Sequence, residues 1–347
     1  MSVLSRPYQK ICILRLSAIG DVCHAVAMVT RIREAWPETQ ITWVIGKIEH
    51  ELVKGMDGVR FIVVDKEAKQ ARARLKQALA NEVFDVLLVM QVALRANWLS
   101  SAIKANKRLG FDWQRSKEGH WLFTNEHIQH HEQSHVLEGF MQFADALGVP
   151  PTNLRWDIPI AQTDEQWVQE KTAHLHRYVV LAPTASKTMR NWTVEGYCDA
   201  LHYLQEQGFA TVLCGGPGRL DRDMQSALHE AGAAITLDLV GQTTLKQMLV
   251  VLRQATFVIA PDTGPAHMAT TVGTPVLGLY AHSNPLRTGP YCNLHDTVSV
   301  YPDAIKAEYN DCWQNLTFGV RAKGEQWMQH ISTEQVRAAI DNFVHRL

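Results

Sequence analysis

Ile11-Cys-Ile-Leu-Arg-Leu-Ser-Ala-Ile-Gly-Asp-Val-Cys-His24 is the stretch that decides the fold. Residues 11–16 form a short apolar run, residues 17–20 are small and turn-forming, and helical spacing follows from residue 24 to residue 36. Pro37 and Glu38 stop that helix. A strand feeding a Gly-containing turn and then a helix is the opening of a βαβ unit. The theme continues outward. Strands are predicted at residues 41–45, closed by Gly46, and at residues 61–64. A polar helix follows at 66–80 and a strand at 84–90. Residues 108–124 are aromatic and basic, with weak periodicity. A helix at 136–147 stops at Gly148, with Pro150 and Pro151 just beyond.

Residues 159–176 hold a helix-like segment and the linker, and then the rhythm restarts. Strands are expected at 178–182, 210–214, 257–260 and 275–280, with helices at 193–207, 220–230 and 245–253. The tail opens on Ser332 and Thr333 before Glu334. It then runs apolar at helical spacing through Val336, Ile340, Phe343 and Val344, which makes a capped amphipathic helix. The fold class is therefore α/β, with two Rossmann-like domains. Their expected bounds are 1–165 and 166–330, and a helix at 331–347 is expected to pack back on the first domain. In such sheets ligands bind beyond the carboxyl ends of the strands, so the space between facing domains is the default site.

Composition agrees. A chain of 347 residues exceeds one ordinary α/β domain, and 46% apolar residues suffice for two cores. With 34 Lys and Arg against 35 Asp and Glu the net charge is −1, so a bulk polyanion such as nucleic acid is not the partner. The six cysteines form no C-x-x-C pair, which is the usage of a reducing compartment. Residues 1–10 are too polar and short for a signal peptide, and no apolar stretch approaches about 18 residues. A cytoplasmic protein is expected, with peripheral contact to the inner face of the inner membrane left open.

Five segments can carry chemistry. Asp21 falls in the first turn of the first helix, where a carboxylate either complements the helix dipole or takes a proton as general base. In Pro261-Asp-Thr-Gly-Pro-Ala-His267 a strand runs into a tight turn and a helix. Asp262, Thr263 and Gly264 there expose amides in the geometry that binds phosphate, Pro265 suits a first helical turn, and His267 can face a ligand. A plain strand-to-helix turn explains the same letters. Gly215 and Gly216, in Cys214-Gly-Gly-Pro-Gly218, form a second glycine loop after a strand, also explicable as a turn. Thr184, Ser186, Lys187 and Arg190 follow the first strand of the second half. They offer hydroxyls and cations to a diphosphate, or simply make a solvated loop. Lys66, Lys69, Arg72, Arg95 and Arg115 make the first half locally basic, able to hold an acidic acceptor or to form a solvated face. His130, His131 and His135 lack the carboxylate or thiolate company of a closed metal site.

Taken together, residues 14–24, the Arg190-x-Trp192 segment, the Gly215-Gly216 loop and residues 261–267 resemble the lipopolysaccharide heptosyltransferases. These are the ADP-heptose-using glycosyltransferases of family nine, and the likeness runs from about residue 11 to 345. Arg108-x-Gly110-Phe111, Glu118-Gly-x-Trp-Leu-Phe-Thr-Asn125, Asn284-Pro-Leu-Arg287 and Val298-Ser-Val-Tyr301 point to the heptosyltransferase I branch. The resemblance implies a GT-B fold and an inverting, metal-independent transfer of heptose from ADP-heptose to Kdo of the inner core, with no cofactor. By the same resemblance Asp21 is the base, and Asp262, Thr263, Gly264 and His267 hold the donor. Arg190 stands where the family has Lys, and a planar fork replaces a point charge there. Two other readings remain: a nucleotide-sugar epimerase of the same fold, and a non-catalytic nucleotide-sugar binder.

Overall fold

The computed structural model describes residues 7–346. Residues 1–6 of the N-terminal stretch read for a signal peptide, and Leu347 at the end of the tail, lie outside them. The chain divides into two compact units between Pro159 and Ile160. The expected division was at residue 165.

The first unit is built on one parallel sheet. Its strands are β1 (Lys10–Leu14), β2 (Gln40–Gly46), β3 (Val59–Val64), β4 (Phe84–Val89), β5 (Ala105–Gly110) and β6 (Glu126–His127), in the order β3-β2-β1-β4-β5-β6. β1 pairs with β2 and β4, and its Ile11, Cys12, Ile13 and Leu14 are wholly buried. A strand covered on both faces must be apolar throughout, which is how the opening run reads. The first helix, Ile19–Ala35, starts five residues earlier than expected and packs on the helix Val136–Leu147. That second helix begins and ends as its sequence demands. His135 Nδ1 accepts from the Leu137 amide at 3.0 Å, Glu138 accepts from the His135 amide at 2.8 Å, and Gly148 adopts φ 79° beyond the last turn.

Three local readings change. The polar helix predicted at 66–80 spans only Ala71–Ala78, because Asp65 Oδ1 accepts from the Glu67 amide at 3.0 Å and holds the lead-in as a turn. β5 lies partly inside the weakly periodic region; its Ala-Asn-Lys-Arg-Leu-Gly sequence has little β propensity, and pairing with β4 makes it a strand. The short helices Lys47–Val53 and Leu94–Ser100 are further additions.

The second unit repeats the plan with β7 (Tyr178–Leu181), β8 (Ala210–Leu213), β9 (Leu237–Asp238), β10 (Val258–Pro261), β11 (Val276–Tyr280) and β12 (Thr297–Ser299), ordered β12-β11-β10-β7-β8-β9. The helix-like segment expected within residues 159–176 is the helix Gln162–Thr172, which packs on Leu245–Gln254 and so belongs to this unit. The tail helix, Thr333–Val344, carries the predicted capping box on Ser332. Its expected return to the first domain is corrected: Val336, Ile340 and Phe343 join the second unit's core. Phe343 stacks on Phe257 at 4.9 Å, and Arg337 pairs with Asp199. The helix's apolar stripe finds its complement in its own unit. Among the described residues, no helix is long and apolar enough to cross a membrane.

Candidate functional site

In each sheet the chain reverses its direction of growth at one point, between β1 and β4 in the first unit and between β7 and β10 in the second. Loops on either side of such a point diverge and leave a crevice at the carboxyl edge.

In the first unit that edge carries Asp21, third residue of the helix Ile19–Ala35. Arg15, the residue after β1, turns its guanidinium onto Asp21 Oδ2 and also donates to the Met90 carbonyl at the end of β4, at 2.5 Å. The Phe140 ring lies 5.2 Å from the guanidinium carbon. Burial lowers the Arg15 pKa from its ordinary value, and Asp21 works against that shift. The Ala18 amide adds a long bond of 3.5 Å to the same Oδ2. Both partners take one oxygen, so Oδ1 accepts no hydrogen bond among the described residues. The side chain of Asp21 is one-third exposed. Asp21 thus caps the helix and also presents an open carboxylate oxygen, so the two readings of this residue are compatible.

The basic residues of the first unit have mixed fates. Lys66 lies 3.9 Å from Glu49, and Arg95 is 2.7 Å from Glu67. Lys69 is exposed, and Arg72 lies over the Trp98 ring. Arg115 is committed inward: it pairs with Asp112, donates to Gln142 Oε1 at 2.7 Å and to the Gln129 carbonyl at 3.0 Å. These bonds tie Arg115 into the unit's own structure through Nε and Nη2. Of the three histidines, His130 leans on Asp112 at 3.1 Å, His135 caps a helix, and His131 is exposed.

In the second unit the turn after β10 meets the loop after β7. Thr263 Oγ1 donates to the Thr184 carbonyl at 2.9 Å, and Arg190 reaches Asp262 at 3.2 Å with both side chains 13% exposed. Ser283 Oγ, just past β11, donates to Asp262 Oδ2 at 2.6 Å. His267 Nε2 stands 4.0 Å from Asp262 Oδ1. Thr263 is the N-cap of the helix Gly264–Thr271, yet its hydroxyl is spent on Thr184 and makes no cap bond. The first-turn amide of the half-buried Gly264 is therefore left for an anion, with the helix dipole behind it. Ser186 and Lys187 are exposed on the same loop, and only Arg190 is drawn into the cluster.

The glycine loop after β8 behaves differently. Gly215 is buried and Gly216 half-buried, but the Gly216 amide bonds the carboxylate of Asp221, whose pKa burial raises. A Cβ on Gly215 would come within 2.9 Å of Asp221 Oδ1. Gly215 is the position where the approach of this side chain leaves no room for a Cβ.

Sequence reasoning passed over Arg15, Ser283 and Asp221. Arg15 had a signal, a cation inside an apolar run. Asp221 had one too, an acid three residues beyond a Gly-rich loop. Ser283 had none, since its role depends on where β11 ends beside β10.

Comparison with known proteins follows the same lines. The model of "Glycosyltransferase family 9 (heptosyltransferase)" matches residues 72–315. The chain is 38% identical to the lipopolysaccharide core heptosyltransferase OpsX of Haemophilus influenzae over 97% of both chains. It is 23% identical to lipopolysaccharide heptosyltransferase 1 of Escherichia coli, over 81% of this chain and 91% of that one. Among solved structures, the family 9 glycosyl transferase of Veillonella parvula superposes with a TM-score of 0.78 at 21% identity, covering 98% of each chain. E. coli heptosyltransferase WaaC with ADP superposes at 0.70 and 20% identity, covering 96% and 99%.

Proposed function

The chain belongs to glycosyltransferase family 9, the heptosyltransferases, and from that premise we propose that it transfers heptose from ADP-heptose to a Kdo residue of the lipopolysaccharide inner core, with inversion and without a metal. The second unit holds the donor and the first supplies the base. The observation that carries this reading is the uncapped helix start at Thr263–Gly264 beside the Arg190–Asp262 pair, an amide and a guanidinium of the kind that meet a phosphate.

The step is a single displacement. The acceptor hydroxyl oxygen attacks the anomeric carbon, and its proton passes to Asp21 Oδ1. The carbon–oxygen bond to the diphosphate breaks, and its electron pair leaves with ADP. Arg190 and the amide of Gly264 meet the charge that grows on the leaving phosphate, the kind of fixed electrostatic support that dominates many transfer reactions. Asp262 holds Arg190 in place, and Ser283 holds Asp262. Thr184, Ser186, Lys187 and His267 line the donor side, and Lys66, Lys69, Arg72 and Arg95 offer charge to the acidic acceptor. The reaction takes place on the cytoplasmic side, where a nucleotide sugar is available.

The test is ADP release from ADP-heptose with a panel of Kdo-lipid A acceptors carrying one phosphorylated Kdo or two Kdo residues, with and without a chelator. Release that needs the acceptor and survives chelation is expected. Turnover of the donor with no acceptor present, or release only with added metal, contradicts the proposal.

A further inference from the structure

Away from Asp21, the first unit shows water an unusual set of side chains. Trp113 is 70% exposed, Leu122 66%, Leu94 60%, Trp98 56% and Trp121 48%. Large apolar groups in one neighbourhood at this exposure mark an interaction surface. They do share a neighbourhood. Leu94 and Trp98 stand one turn apart on the helix Leu94–Ser100. The excursion 111–124 is tied to that helix: Glu118 accepts from the Leu94 amide at 2.5 Å, Asn97 donates to the Glu118 carbonyl at 3.2 Å, and Asn97 Oδ1 meets His120 Nδ1 at 2.8 Å. The Trp113 and Trp121 rings lie 5.7 Å apart. His120 is wholly buried and accepts from the Phe111 amide at 3.2 Å, so the excursion has an internal anchor. The aromatic ridge is held out by a fixed scaffold.

Its surroundings are basic. Residues 60–126 contain 12 Lys and Arg against 7 Asp and Glu, an excess of five in a chain whose total is −1. Lys69, Arg74, Lys76 and Lys117 are exposed and have no salt-bridge partner among the described residues. Arg72 lies over Trp98, 4.6 Å from guanidinium carbon to ring centre, so cation and indole are presented together.

We propose that this face docks on the surface of an anionic lipid bilayer. Indoles settle at the headgroup level of a membrane, leucines reach into the acyl boundary, and neighbouring Lys and Arg are drawn to anionic headgroups. A second copy of the chain is a poor occupant, because the same excess of positive charge would face itself. The helix Leu94–Ser100 follows β4 and the excursion follows β5, so both rise from the carboxyl edge that bears Asp21. Docking would therefore bring that edge to a substrate anchored in lipid. This last point rests on the proposed reaction, but the docking itself does not.

The experiment is co-sedimentation of the full chain, without donor or acceptor, with phosphatidylcholine vesicles and with vesicles in which about one-third of the lipid is phosphatidylglycerol. Binding to the anionic vesicles at least about tenfold tighter, and weakened by salt, is expected. The double variant Trp113→Ser, Trp121→Ser should lose about tenfold of that binding while ADP affinity, measured on the same preparation, stays unchanged. Equal binding to both vesicle types, a double variant that binds like the parent, or a parent dimer that the double variant dissolves would overturn the proposal. None of these results bears on transfer to a delipidated Kdo acceptor, so the two readings fail separately.

Discussion

Both units set an arginine against an aspartate at the carboxyl edge of the sheet, and the two pairs differ in where the acid sits relative to a helix. Asp21 is the third residue of a 17-residue helix, within its first turn. Asp262 lies one residue before the N-cap of an eight-residue helix that opens Gly264-Pro265. In the first unit a carboxylate already occupies the positive end of the helix, so no phosphate is welcome there, and Arg15 fixes the acid with one oxygen free. In the second unit the acid stands back and holds Arg190, and the helix start is open to an anion. The β8 loop confirms the rule by repeating the first pattern. Asp221 is the third residue of Arg219–Glu230 and closes its own glycine loop. One strand–turn–helix scaffold thus fills its helix start with an acid or leaves that start open according to a shift of a few residues in the position of one acid.

The contrast predicts unequal consequences. Asp21→Ala should reduce turnover about 10²–10⁴-fold, the usual worth of a positioned general base. Steady-state ADP release measures it, and a variant with near-parent turnover breaks the first half of the comparison. Arg190→Met removes charge from the leaving group and should cost about 10²–10³-fold, with Arg190→Lys recovering part of the loss because charge returns without the fork. If Lys were no better than Met, geometry would matter there more than charge. Arg15→Met should lower turnover by about tenfold through loss of orientation, with KM for ADP-heptose unmoved. A rise in that KM would place Arg15 on the donor instead.

Two smaller effects touch one unit each. Burial pushes the His120 pKa down to about 4 from its ordinary 6.5. Between those values the unfolded chain binds a proton that the folded one refuses, so the first unit should lose stability as pH falls from 6.5 towards 4 and hold it above 6.5. Thermal melts across that range should show a slope that His120→Gln flattens, and an unchanged slope would assign it elsewhere. Ser332→Ala removes the cap of the tail helix, at a cost of about 1 kcal/mol and about 2–4 °C in Tm of the second unit. Because the tail helix packs within that unit, the first unit's melt should not move.

How much of this was legible follows from what each residue depends on. The opening strand, the Gly148 stop and the Ser332 cap were readable because local sequence settles them. β5 was obscured because its sequence, Ala-Asn-Lys-Arg-Leu-Gly, becomes a strand only by pairing beside β4. The expected docking of the tail helix failed for a related reason: an apolar stripe announces burial but not against what. At the site, the turn around Thr263 stood out as a motif. The inward commitment of Arg115 and the filling of the Gly215 loop by Asp221 did not, since each depends on a partner that folding brings in. Arg190 was distinguishable from Lys187 only once its neighbour Asp262 was placed.

The division of labour between the units can be tested most directly by calorimetric titration of ADP into the Asp21→Ala and Arg190→Met variants side by side. Parent-like affinity is expected for Asp21→Ala and at least about tenfold weaker binding for Arg190→Met. Weakened binding in Asp21→Ala together with unchanged binding in Arg190→Met would contradict that division.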